Sequence, residues 1–173
     1  MRAAAFWKTV TLDRSNFLES LIGLLDEHGI RYCVIGGQGV NAYVEPLVSL
    51  DLDLVVAMEQ LDEAGRLLEQ RFKVERFEHS MNVSAAGSEL RVQVQTDPRY
   101  FAFVGSAARR EVLGVPLPVA TIEDVLQGKV WAASDAGRRP SKRRKDLLDI
   151  ERILEQYPAL RERVPAEILA RLE

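Results

Sequence analysis

The sequence predicts an α/β (α+β) fold, in which a mixed β-sheet is flanked by helices and further helices pack at the C-terminal end. Three observations predict it. Helical periodicity alternates with short apolar runs through the first half of the chain. Residues 81–86 and 89–95 read as two strands joined by a turn at Gly87-Ser88. From Thr121 onward the patterns are helical. At 173 residues the chain is long enough for one domain with a real core. Residues 1–120 are expected to form that core and residues 121–173 a helical portion packed on it, as a single compact unit.

The first dozen residues carry no clear pattern. Asn16 is placed to cap a helix running to about residue 27, with Phe17, Leu21, Leu24 and Leu25 at helical spacing and Gly29 as its stop. Residues 30–35 form an apolar run that reads as a buried strand and is broken by Gly36-Gly37. A short helix over residues 38–44 follows, closed by Pro46. Residues 50–57 read as a second strand. Leu50, Leu52 and Leu54 alternate with Asp51 and Asp53, so both carboxylates project from one face.

Residues 59–72 give an amphipathic helix with Leu61, Ala64, Leu67 and Leu68 along one stripe. In the strand over 89–95, Leu90, Val92 and Val94 take one face and Arg91, Gln93 and Gln95 the other. Residues 100–113 fit no single pattern, and residues 115–120 read as a short strand interrupted by prolines. Thr121, with Asp124 three positions on, gives a helix start resembling a capping box. A final long helix is predicted over residues 142–157, and a short one after Pro165.

Formal net charge is −3, so attraction to phosphate must come from a local cluster rather than from the whole chain. The lone Cys33 sits in an apolar run and reads as a small core hydrophobe. His28 and His79 have no metal-ligand company in the sequence and are assigned no role. No apolar stretch approaches the roughly 20 residues that span a membrane. Residues 1–7 lack the long apolar core of a secretory signal, so the expected location is cytoplasmic.

The chemistry concentrates in one stretch: strand, Gly-Gly, short helix, then a strand bearing Asp-x-Asp. Two glycines let the backbone turn tightly and approach a ligand. The following helix start is a seat for phosphate. Two aspartates side by side on a strand repel unless a cation lies near them, and hard oxygen ligands of this kind suit Mg²⁺. Either feature alone is commonplace, as a turn or as a solvated edge. Gly37 and Asp51, 14 positions apart across a helical segment, make a far more specific pair.

These residues resemble the signature of the nucleotidyltransferase superfamily. It is carried by Gly36-Gly37-Gln38-Gly39-Val40-Asn41-Ala42-Tyr43, followed by Ser49-Leu50-Asp51-Leu52-Asp53-Leu54. The flavour is that of the minimal, AbiEii-toxin-like branch. Two later segments resemble that branch's C-terminal helices: Thr121-Ile122-Glu123-Asp124-Val125-Leu126-Gln127-Gly128-Lys129 and Arg144-Lys145-Asp146-Leu147-Leu148-Asp149-Ile150. The resemblance implies a nucleotidyltransferase fold and metal-dependent transfer of a nucleotidyl group from an NTP. In that reading Asp51 and Asp53 bind Mg²⁺, Gly36, Gly37, Gln38, Ser49 and Lys145 hold the nucleotide, and Lys129 joins the aspartates in catalysis by neutralising phosphate. It further implies RNA such as tRNA as acceptor, and a toxin–antitoxin setting with an antitoxin protein as partner.

The sequence departs from the branch at Leu47, where Arg is usual, and at Ser49, where Thr is common. The superfamily's third carboxylate is expected on a later strand. The polar face over residues 91–95 offers Gln93 and Gln95 but no acid, and Asp97 follows beside Pro98. A glutamine can ligate through its carbonyl but cannot act as a base. A second reading therefore stays open, in which a degenerate protein of this fold binds nucleotide or a protein partner without catalysis. A third, adenylylation of a small molecule such as an aminoglycoside, sits poorly with the basic run Arg138–Lys145.

Lys129 falls in the middle of an apolar face made by Ile122, Val125, Leu126 and Ala133. Such a lysine pairs with an acid, reaches into a cleft or snorkels to water, and Asp146 on the final helix is a candidate partner. Arg138, Arg139, Lys142, Arg143, Arg144 and Lys145 are the densest positive cluster, fit for phosphates or an RNA backbone or simply solvated.

Overall fold

The structure is a computed structural model that describes residues 16–172. The expectations for residues 1–7 and the rest of the first dozen lie outside that span. Among the described residues the elements are α1 (Phe17–Glu27), β1 (Tyr32–Ile35), α2 (Gly36–Asn41), β2 (Asp51–Val56) and α3 (Leu61–Arg71). There follow β3 (Lys73–Arg76), β4 (Ser80–Ser84), β5 (Arg91–Gln95), β6 (Ala108–Val112) and β7 (Val115–Val119). The chain then runs through α4 (Ile122–Ser134), α5 (Pro140–Gln156) and α6 (Ala166–Leu169).

The strands form one mixed sheet in the order β3-β4-β5-β2-β1-β7-β6. β2 pairs antiparallel with β1 and parallel with β5. Period-two alternation then sorts the side chains into two layers. Tyr32, Val34, Leu52, Leu54, Val92 and Val94 face the layer holding α1 and α3. Cys33, Ile35 and Val55 face the opposite layer, with α4, α5 and α6. Asp51 and Asp53 share the parity of Val55 and so point toward α4 and α5.

Several expectations are adjusted. Asn16 does not cap α1 with its side chain but stands in the left-handed region, at φ 53°. The glycine pair belongs to α2, which starts at Gly36 and ends at Asn41. Residues 58–60 are a 3-10 turn ahead of α3. The ambiguous stretch resolves into a 3-10 segment, Pro98–Ser106, and edge strand β6, which pairs antiparallel with β7. Thr121 caps α4 by accepting from the Asp124 N–H at 3.1 Å. The Asp124 carboxylate does not complete the box; it accepts from Ser106 Oγ. α5 begins at Pro140, at a position where a missing N–H costs nothing. Among the described residues no helix is long and apolar enough to cross a membrane.

Candidate functional site

β1 ends at Ile35, and Gly36 turns the chain with φ +65°. A Cβ at Gly36 would collide with the Asp53 carboxylate, so only glycine combines this backbone with an acid beneath it. Asp53 is thereby held half-buried beneath the Gly36 turn. No described residue donates a hydrogen bond to its carboxylate. Burial raises its pKa above the usual range; Lys129 opposes the shift and Asp51 adds to it.

Asp51 is more open, and its counter-ion is already present. Arg91 Nε donates to Asp51 Oδ1 at 2.8 Å from the paired position on β5. Gln93 pairs with Asp53 in the same register. Gln95 lies farther along the face, and its side chain accepts from the Asp97 N–H. Asp97 turns to Arg99, which holds its carboxyl below the ordinary range, and it borders neither cavity of the site. Among the described residues no cluster of three acids, histidines or cysteines is arranged to hold a metal.

Lys129 is buried in α4, where its Nζ donates to Asp146 Oδ1 at 3.1 Å and to Asp149 Oδ2 at 2.8 Å. Burial by itself lowers its pKa, but Asp149 and Asp146 outweigh burial and hold it above the ordinary lysine value. Arg138 closes on Asp146 at 2.7 Å and Arg152 on Asp149 at 2.8 Å, so the four charges around Lys129 are mutually satisfied. From the sequence, Asp149 is named only within the segment 144–150, with no role of its own, and Arg152 is not singled out. The signal that finds Asp149 is its spacing of three from Asp146, one turn along the same helix face.

The loop between α2 and β2 is tied down from three sides. Asn41 both donates to the Leu47 carbonyl and accepts from the Leu47 N–H, at 2.7 and 3.0 Å. Arg152 donates to the Glu45 carbonyl at 2.6 Å. Gln38 is buried, and its side chain is engaged with the Ser49 carbonyl and Asn41. Ser49 Oγ accepts from the Asp51 N–H.

Two cavities meet at Asp53. The larger, about 530 Å³, is bordered by Gly37, Ser49, Asp51, Lys142, Lys145 and Arg152 among others. The smaller, about 90 Å³, is bordered by Gly36, Gln95, Tyr100, Asp124 and Gly128. Asp53, Gln93, Lys129, Arg138 and Asp146 border both and form the partition between them. The site thus offers a carboxylate pair, a wall of cations on α5, and a second polar recess behind the inner acid.

Solved structures share this architecture. The antibiotic-resistance factor ANT(2″)-Ia matches in its solution structure with a TM-score of 0.58 at 15% identity, over 86% of this chain and 91% of that one. Its complex with adenylyl-2″-tobramycin gives 0.57 at 15% identity, over 86% and 97%. The lincosamide antibiotic adenylyltransferase LnuA, lincomycin-bound, gives 0.54 at 12% identity, over 80% and 97%. An antigenic nucleotidyltransferase-like protein from Paracoccidioides brasiliensis gives 0.51 at 17%, over 86% and 75%. No family profile and no curated protein matches the sequence. At these identities the likeness is one of fold: the chain has the nucleotidyltransferase fold that its sequence predicts.

Proposed function

We propose that the chain is a metal-dependent nucleotidyltransferase of the AbiEii-like branch, moving a nucleotidyl group from an NTP to an acceptor. The observation that carries the reading is Asp53, a half-buried carboxylate to which no described residue donates a hydrogen bond, set beside Asp51 in a cleft walled by cations. Partial burial makes the charged form of this carboxylate costly, and a divalent cation with its phosphates relieves that cost. Asp51 and Asp53 would hold Mg²⁺, with the Gln93 carbonyl on the same face. When bound, the ion supplies neutralisation of phosphate charge.

The chain's own groups do the rest. Gly37 and Ser49 border the triphosphate's seat, and Lys142 and Lys145 draw its oxygens. Lys129, held by Asp146 and Asp149, attracts the charged form of Asp53 rather than a phosphate. The acceptor hydroxyl enters the larger cavity, the one with room for it beside the triphosphate. Its oxygen bonds to the α-phosphorus as the bond to the bridging oxygen breaks and pyrophosphate leaves. The hydroxyl proton passes to Asp53, which borders that cavity. The glycine turn and the carboxylate pair belong to the first part, residues 1–120, and the part from 121 to 173 supplies the cations that wall the cleft.

RNA such as tRNA suits the exposed Arg139 and Arg144, which extend the cationic wall beyond the cleft. A cytoplasmic toxin–antitoxin setting, with an antitoxin protein as partner, goes with that acceptor. A second reading is favoured by Gln93 and Arg91, which put a neutral amide and a cation where a third acid is expected. In that reading the fold binds nucleotide or a protein partner and transfers nothing. The test is incubation with each α-labelled NTP and either bulk tRNA or a panel of aminoglycosides and lincosamides. Label on RNA that is lost in Asp51→Ala/Asp53→Ala supports the proposal. Label on the small molecules moves the acceptor to the class that the solved neighbours handle, and binding without transfer supports the second reading.

A further inference from the structure

The β5 face beside the aspartates carries an arginine and a glutamine. Arg91 stands in register with Asp51 and donates to it from Nε at 2.8 Å. The Arg91 side chain is 70% exposed and that of Asp51 48%, so this pair exchanges freely with solvent. Gln93 stands in register with Asp53 and is neutral. Two carboxylates against one guanidinium leave a single net negative charge on this face. A hard dication held by protein alone needs more than that.

We propose that Arg91 is a resident counter-ion that keeps the Asp51–Asp53 pair from retaining a free divalent cation, so that one metal ion enters only together with a nucleoside triphosphate. The inference rests on the nucleotide reading of the cleft. The triphosphate brings the negative charge that the face lacks. Lys142 and Lys145 border the same cleft, repel a bare cation and attract an anionic metal–nucleotide complex. Arg91, on a long exposed stem, is free to leave Asp51 for a phosphate oxygen, which its planar fork suits. A second ion would need a further bridging acid, and Gln93 occupies the paired position nearest Asp53.

The test is Mn²⁺ uptake by the whole chain, measured by equilibrium dialysis as the excess Mn²⁺ retained with the protein, with and without α,β-methylene ATP in both compartments. Wild type is expected to take up Mn²⁺ only with the analogue, at one ion per chain. Arg91→Gln is expected to bind Mn²⁺ without nucleotide at least about tenfold more tightly, the order of effect of removing one nearby charge at a protein surface. Arg91→Lys keeps the wild-type pattern. A gain of affinity cannot come from a damaged fold. Two ions per wild-type chain, or equal nucleotide-free affinity in wild type and Arg91→Gln, overturns the proposal. Nucleotide binding with no Mn²⁺ uptake in either protein also overturns it. Loss of both nucleotide and Mn²⁺ binding overturns the nucleotide reading together with it.

Discussion

Asp53 and Gln93 are register partners across the parallel β2–β5 pair. The inner acid of the site therefore has an amide beside it, and the charge that compensates it most strongly is Lys129, itself held by Asp146 and Asp149. This leaves Asp53 with a desolvation cost that the fold alone does not relieve.

That cost has a pH signature. Asp53 has its pKa raised by burial, so folding favours its protonated form. The stability this contributes is fully present below the ordinary carboxylate pKa and is lost as pH rises through the raised value. Asp53→Asn removes the dependence. The variant is expected to melt above wild type at pH 7, with the gap closing toward pH 4, when both are scanned by calorimetry in chelator. For a chain of this size about 1 kcal/mol corresponds to roughly 2–4 °C. A variant that melts below wild type at pH 7 contradicts the desolvation account.

Gly36 and Gly37 should respond differently to alanine. At Gly36 a Cβ meets the Asp53 carboxylate and φ is +65°, so Gly36→Ala is expected to cost more than about 1–2 kcal/mol in urea unfolding. At Gly37 nothing lies within 4 Å of a Cβ, and the loss should be well under that.

The Lys129 cluster is a buried network, and removing its centre leaves Asp146 and Asp149 each with a single arginine. Lys129→Met is expected to lose about 3–5 kcal/mol. Asp149→Asn leaves Lys129 its bond to Asp146 and should lose less. Equal losses in chemical denaturation contradict the central place given to Lys129.

Lys142 and Lys145 are exposed on α5 at the edge of the larger cavity. Lys142→Ala/Lys145→Ala is expected to weaken nucleotide binding about tenfold or more and to flatten its dependence on ionic strength. Unchanged affinity and salt dependence in titration calorimetry place the triphosphate elsewhere.

Much of this was legible because it is local. The alternation of Leu50, Leu52 and Leu54 with the aspartates gave β2, and the apolar face around Lys129 gave α4 and its link to Asp146. β3 escaped because it is an edge strand in which only Val74 packs inward, leaving no alternation to read. The segment Pro98–Ser106 escaped because a 3-10 path lacks the helical period of 3.6. The Arg91–Asp51 pair depends on a parallel register between strands forty residues apart, which no spacing rule within one element predicts. The bulk of the basic run was visible, but the engagement of Arg138 with Asp146 needed the fold.

The most direct measurement is calorimetric titration of ATP, GTP, CTP and UTP with Mg²⁺ into wild type and into Asp51→Ala/Asp53→Ala. The account predicts metal-dependent binding of at least one nucleotide by wild type and its loss in a folded double variant. A well-folded wild type that binds none of the four contradicts it.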